Sequence, residues 1–63
     1  KKYKNLITKE VKKYNDEGVA LLTNKKYNEA IISFQKAIKI DPNFTTAYDN
    51  LGIALNKSRD TIR

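Results

Sequence analysis

The chain has 63 residues, 40% of them hydrophobic and 32% charged, with 13 Lys and Arg against 7 Asp and Glu for a formal charge of +6. It contains no cysteine and no histidine, which removes disulfides, thiolate chemistry and the commonest general base and metal ligand. So short a chain also buries too small a core for an elaborate enzyme, and neither catalysis nor a metal or cofactor is expected.

No apolar run has the length of a membrane span, and the opening KKYKNLITKE lacks the apolar block of a secretory signal. A cytoplasmic setting is the expectation. Because the sequence begins on Lys1 and has no Met, it reads as an excerpt of a longer protein. The basic excess sits at the start, where Lys1, Lys2, Lys4, Lys9, Lys12 and Lys13 face only Glu10. Lysines beside Tyr3 and Tyr14 could pair with phosphates. Arginine, the better reader of phosphate geometry, occurs only at Arg59 and Arg63, so a solvated flank is favoured over a nucleic-acid partner.

Three helices are predicted in chain order. In the first, Leu6, Ile7, Val11, Tyr14, Leu21 and Leu22 recur at helical spacing with Gly18 and Ala20 among them. It covers about Val11 to Thr23, and its stripe reaches back to Tyr3. Thr8 as an N-cap would instead start it near Lys9. The polar run Asn24, Lys25, Lys26 ends it, with Asn24 expected in the left-handed cap conformation.

The second helix runs from about Tyr27 to Ile40, with Ala30, Ile31, Phe34, Ala37 and Ile38 on one face. Pro42 disfavours helical geometry at Asp41, and Asn43 is the candidate N-cap of the third helix. That helix spans about Phe44 to Lys57. Its apolar set of Phe44, Ala47, Tyr48, Leu51, Ile53, Ala54 and Leu55 is wide enough to need burial on more than one side.

The two glycines, Gly18 and Gly52, stand 34 residues apart, and each lies in the same frame: Tyr14 matches Tyr48, Ala20 matches Ala54, Leu21 matches Leu55, and Val19 stands opposite Ile53. A fixed period of this length signals stacked helix-turn-helix units. From Tyr14 the sequence reads YNDEGVALLTNKKYNEAIISFQKAIKIDPN. With Tyr14, Gly18, Leu21, Tyr27, Ala30, Phe34, Ala37 and Pro42 in order, it closely resembles the tetratricopeptide repeat family.

The resemblance implies an all-α fold of antiparallel helix-turn-helix repeats, a right-handed α-solenoid fragment of about one and a half repeats. Residues 1–63 would form a single unit. Within it, 1–10 is a basic flank or helix extension, 11–44 a full repeat, and 45–63 the first helix of a second. Small residues let the helices approach, so Gly18 is expected against Ala30 and Ala37 against the next helix. The remaining repeat positions, Tyr14, Leu21, Tyr27 and Phe34, fill the space around them.

The first repeat departs from the family pattern at Glu17, where leucine is usual and the second repeat has Leu51. A charge at a position that ordinarily packs on a preceding helix suggests an amino-terminal repeat. An upstream repeat would also want proline at Thr8 and alanine at Tyr3. At the other end Tyr48, Gly52 and Leu55 present a face that expects a partner helix, and the alternative to a binding module is a structural self-assembly element whose repeats stack between copies through this face.

As carried over from the family, the concave, peptide-receiving face comprises Lys12, Asn15, Val19, Leu22 and Thr23 from the first helix. The third helix adds Thr46, Asp49, Asn50, Ile53, Asn56 and Lys57. The expected partner is a protein or an extended peptide. The family's carboxylate clamp wants a lysine three residues before the first glycine and an asparagine just after it. This chain has Asn15 and Val19 there, so tight binding of tails ending EEVD is not expected. The glycosylation-like triplets at Asn43 and Asn56 are short enough to arise by chance, and Asp16, Glu17 and Asp41 lack the spacing of a metal site.

Overall fold

In the computed structural model the backbone is described for residues 2–62 and the side chains for residues 7–60. Three helices account for nearly all of it: α1 (Lys2–Thr23), α2 (Tyr27–Ile40) and α3 (Thr45–Ile62). They form one thin layer whose principal extents are 47 × 19 × 13 Å.

The first helix takes the longer of its two predicted forms, running through Thr8 without a break. Lys1, Arg63 and the side chains of Lys2, Tyr3, Lys4 and Leu6 lie outside the described residues. Its end differs from expectation by one residue. Lys25, not Asn24, adopts the left-handed conformation, at φ 66°. Lys26 N–H donates to the Leu21 carbonyl (2.8 Å) and Lys25 N–H to the Leu22 carbonyl (3.0 Å). These are the two bonds of a Schellman cap, whose left-handed residue is the first beyond the half-helical capping position. Asn24 is that capping position, its N–H still bonded to the Ala20 carbonyl at 3.1 Å, so the left-handed strain falls on Lys25.

The second connection also differs. Asp41, rather than Asn43, organises it: Asn43 N–H donates to Asp41 Oδ1 (3.1 Å) and Phe44 N–H to the Asp41 carbonyl (3.1 Å). Aspartate favours such a side-chain turn. Because α3 starts at Thr45, Asn43 lies too far upstream to cap it. The helix also continues beyond Lys57. There the Ser58 hydroxyl donates to Asn28 Oδ1 at 3.0 Å, tying the end of α3 to the start of α2.

Packing is antiparallel between sequence neighbours. Two buried clusters span the layer. Val11, Ala37 and Ala47 form one, with Tyr14, Ile38, Ile40 and Phe44 packed against it. Ala30, Phe34 and Ala54 form the other, with Leu21, Leu22, Ile31 and Leu51 around them. The middle of α1, at Val11 and Tyr14, thus meets the late part of α2, and the early part of α2 meets the late part of α3. Ala37 packs toward the next helix, as expected.

Gly18 is buried, and the side-chain atoms nearest to it belong to Phe34. A Cβ at Gly18 would lie 2.6 Å from Phe34 Cδ1 and 2.7 Å from Cζ, inside the ring's van der Waals envelope. The glycine makes room for the largest side chain of the core.

The repeat positions of α1 and α3 are used on opposite faces. Ala47 and Ala54 are fully buried against α2 and Leu51 half-buried, whereas the equivalent Lys13, Glu17 and Ala20 of α1 are exposed. Conversely, Tyr14, Gly18 and Leu21 pack toward α2 while Tyr48, Gly52 and Leu55 are exposed. A charge at Glu17 costs nothing on a solvated face and would be expensive at Leu51, which packs on the Phe34 cluster.

Candidate functional site

Helices α1 and α3 run parallel on one side of the layer and are joined there by a side-chain hydrogen bond. Asn50 Nδ2 donates to Asn15 Oδ1 at 3.0 Å. Asn15 is 8% exposed and Asn50 half-buried. Both belong to the stripe carried over from the family, since Lys12, Asn15, Val19 and Leu22 recur at three- and four-residue steps, as do Thr46, Asn50, Ile53 and Lys57. The bond therefore sets the two stripes side by side.

Along those stripes the side chains divide into three groups. Val19 and Ile53, repeat equivalents on adjoining helices, are 41% and 44% exposed. Lys12, Thr23, Thr46, Asp49, Asn56 and Lys57 are exposed as well. Leu22 differs, being half-buried against the Phe34 cluster. Thr23 turns its hydroxyl back onto its own helix, donating to the Val19 carbonyl at 2.9 Å, so that donor is already engaged.

The Asn15–Asn50 link was not legible in the repeat. The 34-residue period pairs Asn15 with Asp49 and Asp16 with Asn50, and the bonded pair is offset from it by one. An inward-facing asparagine flanked by polar neighbours was the available signal. Removing one partner leaves a part-buried amide unsatisfied, which costs on the order of 1–2 kcal/mol. In a denaturant double-mutant cycle of Asn15→Ala and Asn50→Ala, a coupling of about 0.5–1.5 kcal/mol is expected. Additive losses would show that the bond does not hold α1 to α3.

Among the described residues no group of three or more His, Cys, Asp or Glu is arranged to hold a metal ion. Nor, among these residues, is any helix long and apolar enough to cross a membrane. Lys36 Nζ lies 5.7 Å from the centroid of the Tyr14 ring, an exposed cation–π contact that braces α2 on α1 and contributes about 0.5–1 kcal/mol.

Three helices in one layer, with equivalent positions recurring on α1 and α3, define a helical-repeat protein. A family model described as the TPR repeat matches residues 18–58, and the chain belongs to the tetratricopeptide repeat family. The chain is similar to the tetratricopeptide repeat domain-containing protein PYG7, chloroplastic, of Arabidopsis thaliana, at 36% identity over 47 residues. That alignment covers 75% of this chain but only 16% of the plant protein's length. No solved structure matches the chain at a significant level. Members of this family are in general interaction scaffolds rather than catalysts.

Proposed function

We propose that this chain is a protein-interaction module that receives an extended peptide or partner segment across the adjoining stripes of α1 and α3. The observation that carries this is the Asn50 to Asn15 hydrogen bond, which aligns the stripes and leaves Val19 and Ile53 exposed on neighbouring helices. Exposed apolar side chains beside amides suit an extended peptide, whose backbone needs hydrogen-bond partners and whose side chains need apolar contact. In this proposal residues 11–44 are one full repeat and 45–63 the first helix of a second, and the module performs no chemistry of its own.

Peptides selected from a displayed library against the folded chain test the surface. Val19→Glu with Ile53→Glu should weaken them at least about tenfold, a loss of about 1.4 kcal/mol. Ile32→Glu, on the exposed surface of α2, should leave them unchanged. The opposite pattern would move the site to α2. A basic tail contacting nucleic acid is the lesser alternative: Lys9, Lys12 and Lys13 are exposed, and steep salt dependence would be its mark.

A cytoplasmic setting belongs to the same proposal. The similar Arabidopsis protein is chloroplastic by its name, and cell fractionation with an antibody to this chain decides between the two compartments.

A further inference from the structure

The hydrogen bond between Asn15 and Asn50 also fixes what stands on either side of it. Asp16 follows Asn15, and Asp49 precedes Asn50. Helix α1 turns Tyr14 and Gly18 toward α2, and α3 turns Ala47 and Ala54 there. At about 100° per residue, one step forward from Asn15 and one step back from Asn50 both lead away from α2. Asp16 and Asp49 therefore flank the bonded amides on the side that carries Val19 and Ile53, and both are exposed. The stripe carried over from the family includes Asp49 but not Asp16. Among the described residues neither carboxylate is in an ion pair, although Lys12 stands one helical turn before Asp16. Asn15 adds a donor. Its side chain is 8% exposed and its Oδ1 accepts from Asn50, but its Nδ2 has no acceptor among the described residues and is not sealed from solvent.

We propose that the peptide received by α1 and α3 carries an arginine seated between Asp16 and Asp49, two residues from the apolar side chain that covers Val19 and Ile53. This rests on the interaction-module reading above and names the chemistry of its ligand. A guanidinium is planar and always charged, and its fork of donors reaches two carboxylates at once, which the single ammonium of lysine does less well. The spacing follows from helix geometry. Val19 lies three residues beyond Asp16 and Ile53 four beyond Asp49, roughly 5 Å along the helix axes. Side chains on one side of an extended chain repeat every two residues, about 6.6 Å. Asn15 Nδ2 donates to a carbonyl of the intervening peptide backbone. The formal charge of +6 attracts acidic peptides at long range, so a preference for arginine is the mark of the two local carboxylates and not of the protein's overall field.

Peptides selected from the displayed library should carry arginine two residues from an apolar residue. The probes are then synthetic copies of one selected peptide with arginine, glutamine or glutamate at that position, titrated with the 63-residue chain by fluorescence anisotropy. Glutamine should weaken binding at least about threefold, and glutamate more. Asp16→Asn with Asp49→Asn in the chain should weaken the arginine peptide by a similar factor and leave the glutamine peptide unchanged. Both positions are exposed, and circular dichroism verifies that this variant stays folded. Selected peptides that lose affinity with Val19→Glu and Ile53→Glu, yet carry no arginine there or bind better with glutamate, would overturn the proposal and leave the module reading standing. An equal response of the arginine and glutamine peptides to the Asp16→Asn, Asp49→Asn variant would overturn it too. Peptides indifferent to Val19→Glu and Ile53→Glu would remove the module reading and this inference with it.

Discussion

Phe34→Ala should unfold the chain at ordinary temperature. Truncating a fully buried phenylalanine costs about 3–5 kcal/mol through lost transfer free energy and the cavity left behind. A chain of this size has a total stability of roughly 3–9 kcal/mol. Among the described residues Phe34 and Val11 are the largest fully buried side chains, and four of the six buried hydrophobic residues are alanines. Little else holds the layer once the ring is gone, because Leu21, Leu22, Ile31 and Leu51 pack around Ala30, Phe34 and Ala54. Circular dichroism of Phe34→Ala should show most of the helical signal lost at 25 °C. Retention of a cooperative transition near that of the parent would mean that the core lies elsewhere.

Gly18→Ala should be destabilising, against the usual preference of helices for alanine. Alanine in a helix interior gains about 1 kcal/mol over glycine. Here, however, the new methyl would stand 2.6 Å from Phe34 Cδ1. The ring is fully buried and cannot withdraw without disturbing Ala30 and Ala54. Overpacking of this kind costs about 1–3 kcal/mol, and more where backbones must separate. If α1 moves off α2 to relieve the clash, Val11 leaves Ala37 and the Asn15–Asn50 bond lengthens. Gly52→Ala is the internal control. With nothing within 4 Å of its Cβ, that change should raise stability by up to about 1 kcal/mol. Opposite signs at two equivalent positions, read by thermal or denaturant unfolding, are the expected outcome. A stabilising Gly18→Ala would place the ring away from the glycine.

Much of the fold was legible because helices that pack in a row impose a period on the chain. The recurrence of Tyr14, Gly18 and Leu21 at Tyr48, Gly52 and Leu55 announced the repeat. The polar run after Thr23 and the proline at Pro42 announced the turns. Helix ends were less legible. Whether Asn24 or Lys25 takes the left-handed position depends on which carbonyl the last N–H groups reach, a choice made by the path of the chain into α2. The turn before α3 likewise fell to Asp41 rather than Asn43, although both residue types favour such turns.

The candidate site was legible as a stripe but not as a surface. Spacing placed Lys12, Asn15 and Val19 on one side of a helix, and Thr46, Asn50 and Ile53 on one side of another. It could not say that Leu22 would sink toward the Phe34 cluster or that Asn15 would be buried under Asn50.

The sequence by itself determined the helical class and the 34-residue repeat. Both are written in residue types at regular spacing: Tyr14, Gly18 and Leu21 recur as Tyr48, Gly52 and Leu55. Only the tertiary structure decided which side chain fills the space at Gly18, which amide pair ties α1 to α3, and which of two identical Tyr-Gly-Leu faces is covered. Those outcomes depend on contacts between residues far apart in the chain. Close packing of Phe34 into Gly18 requires the third dimension to bring them together.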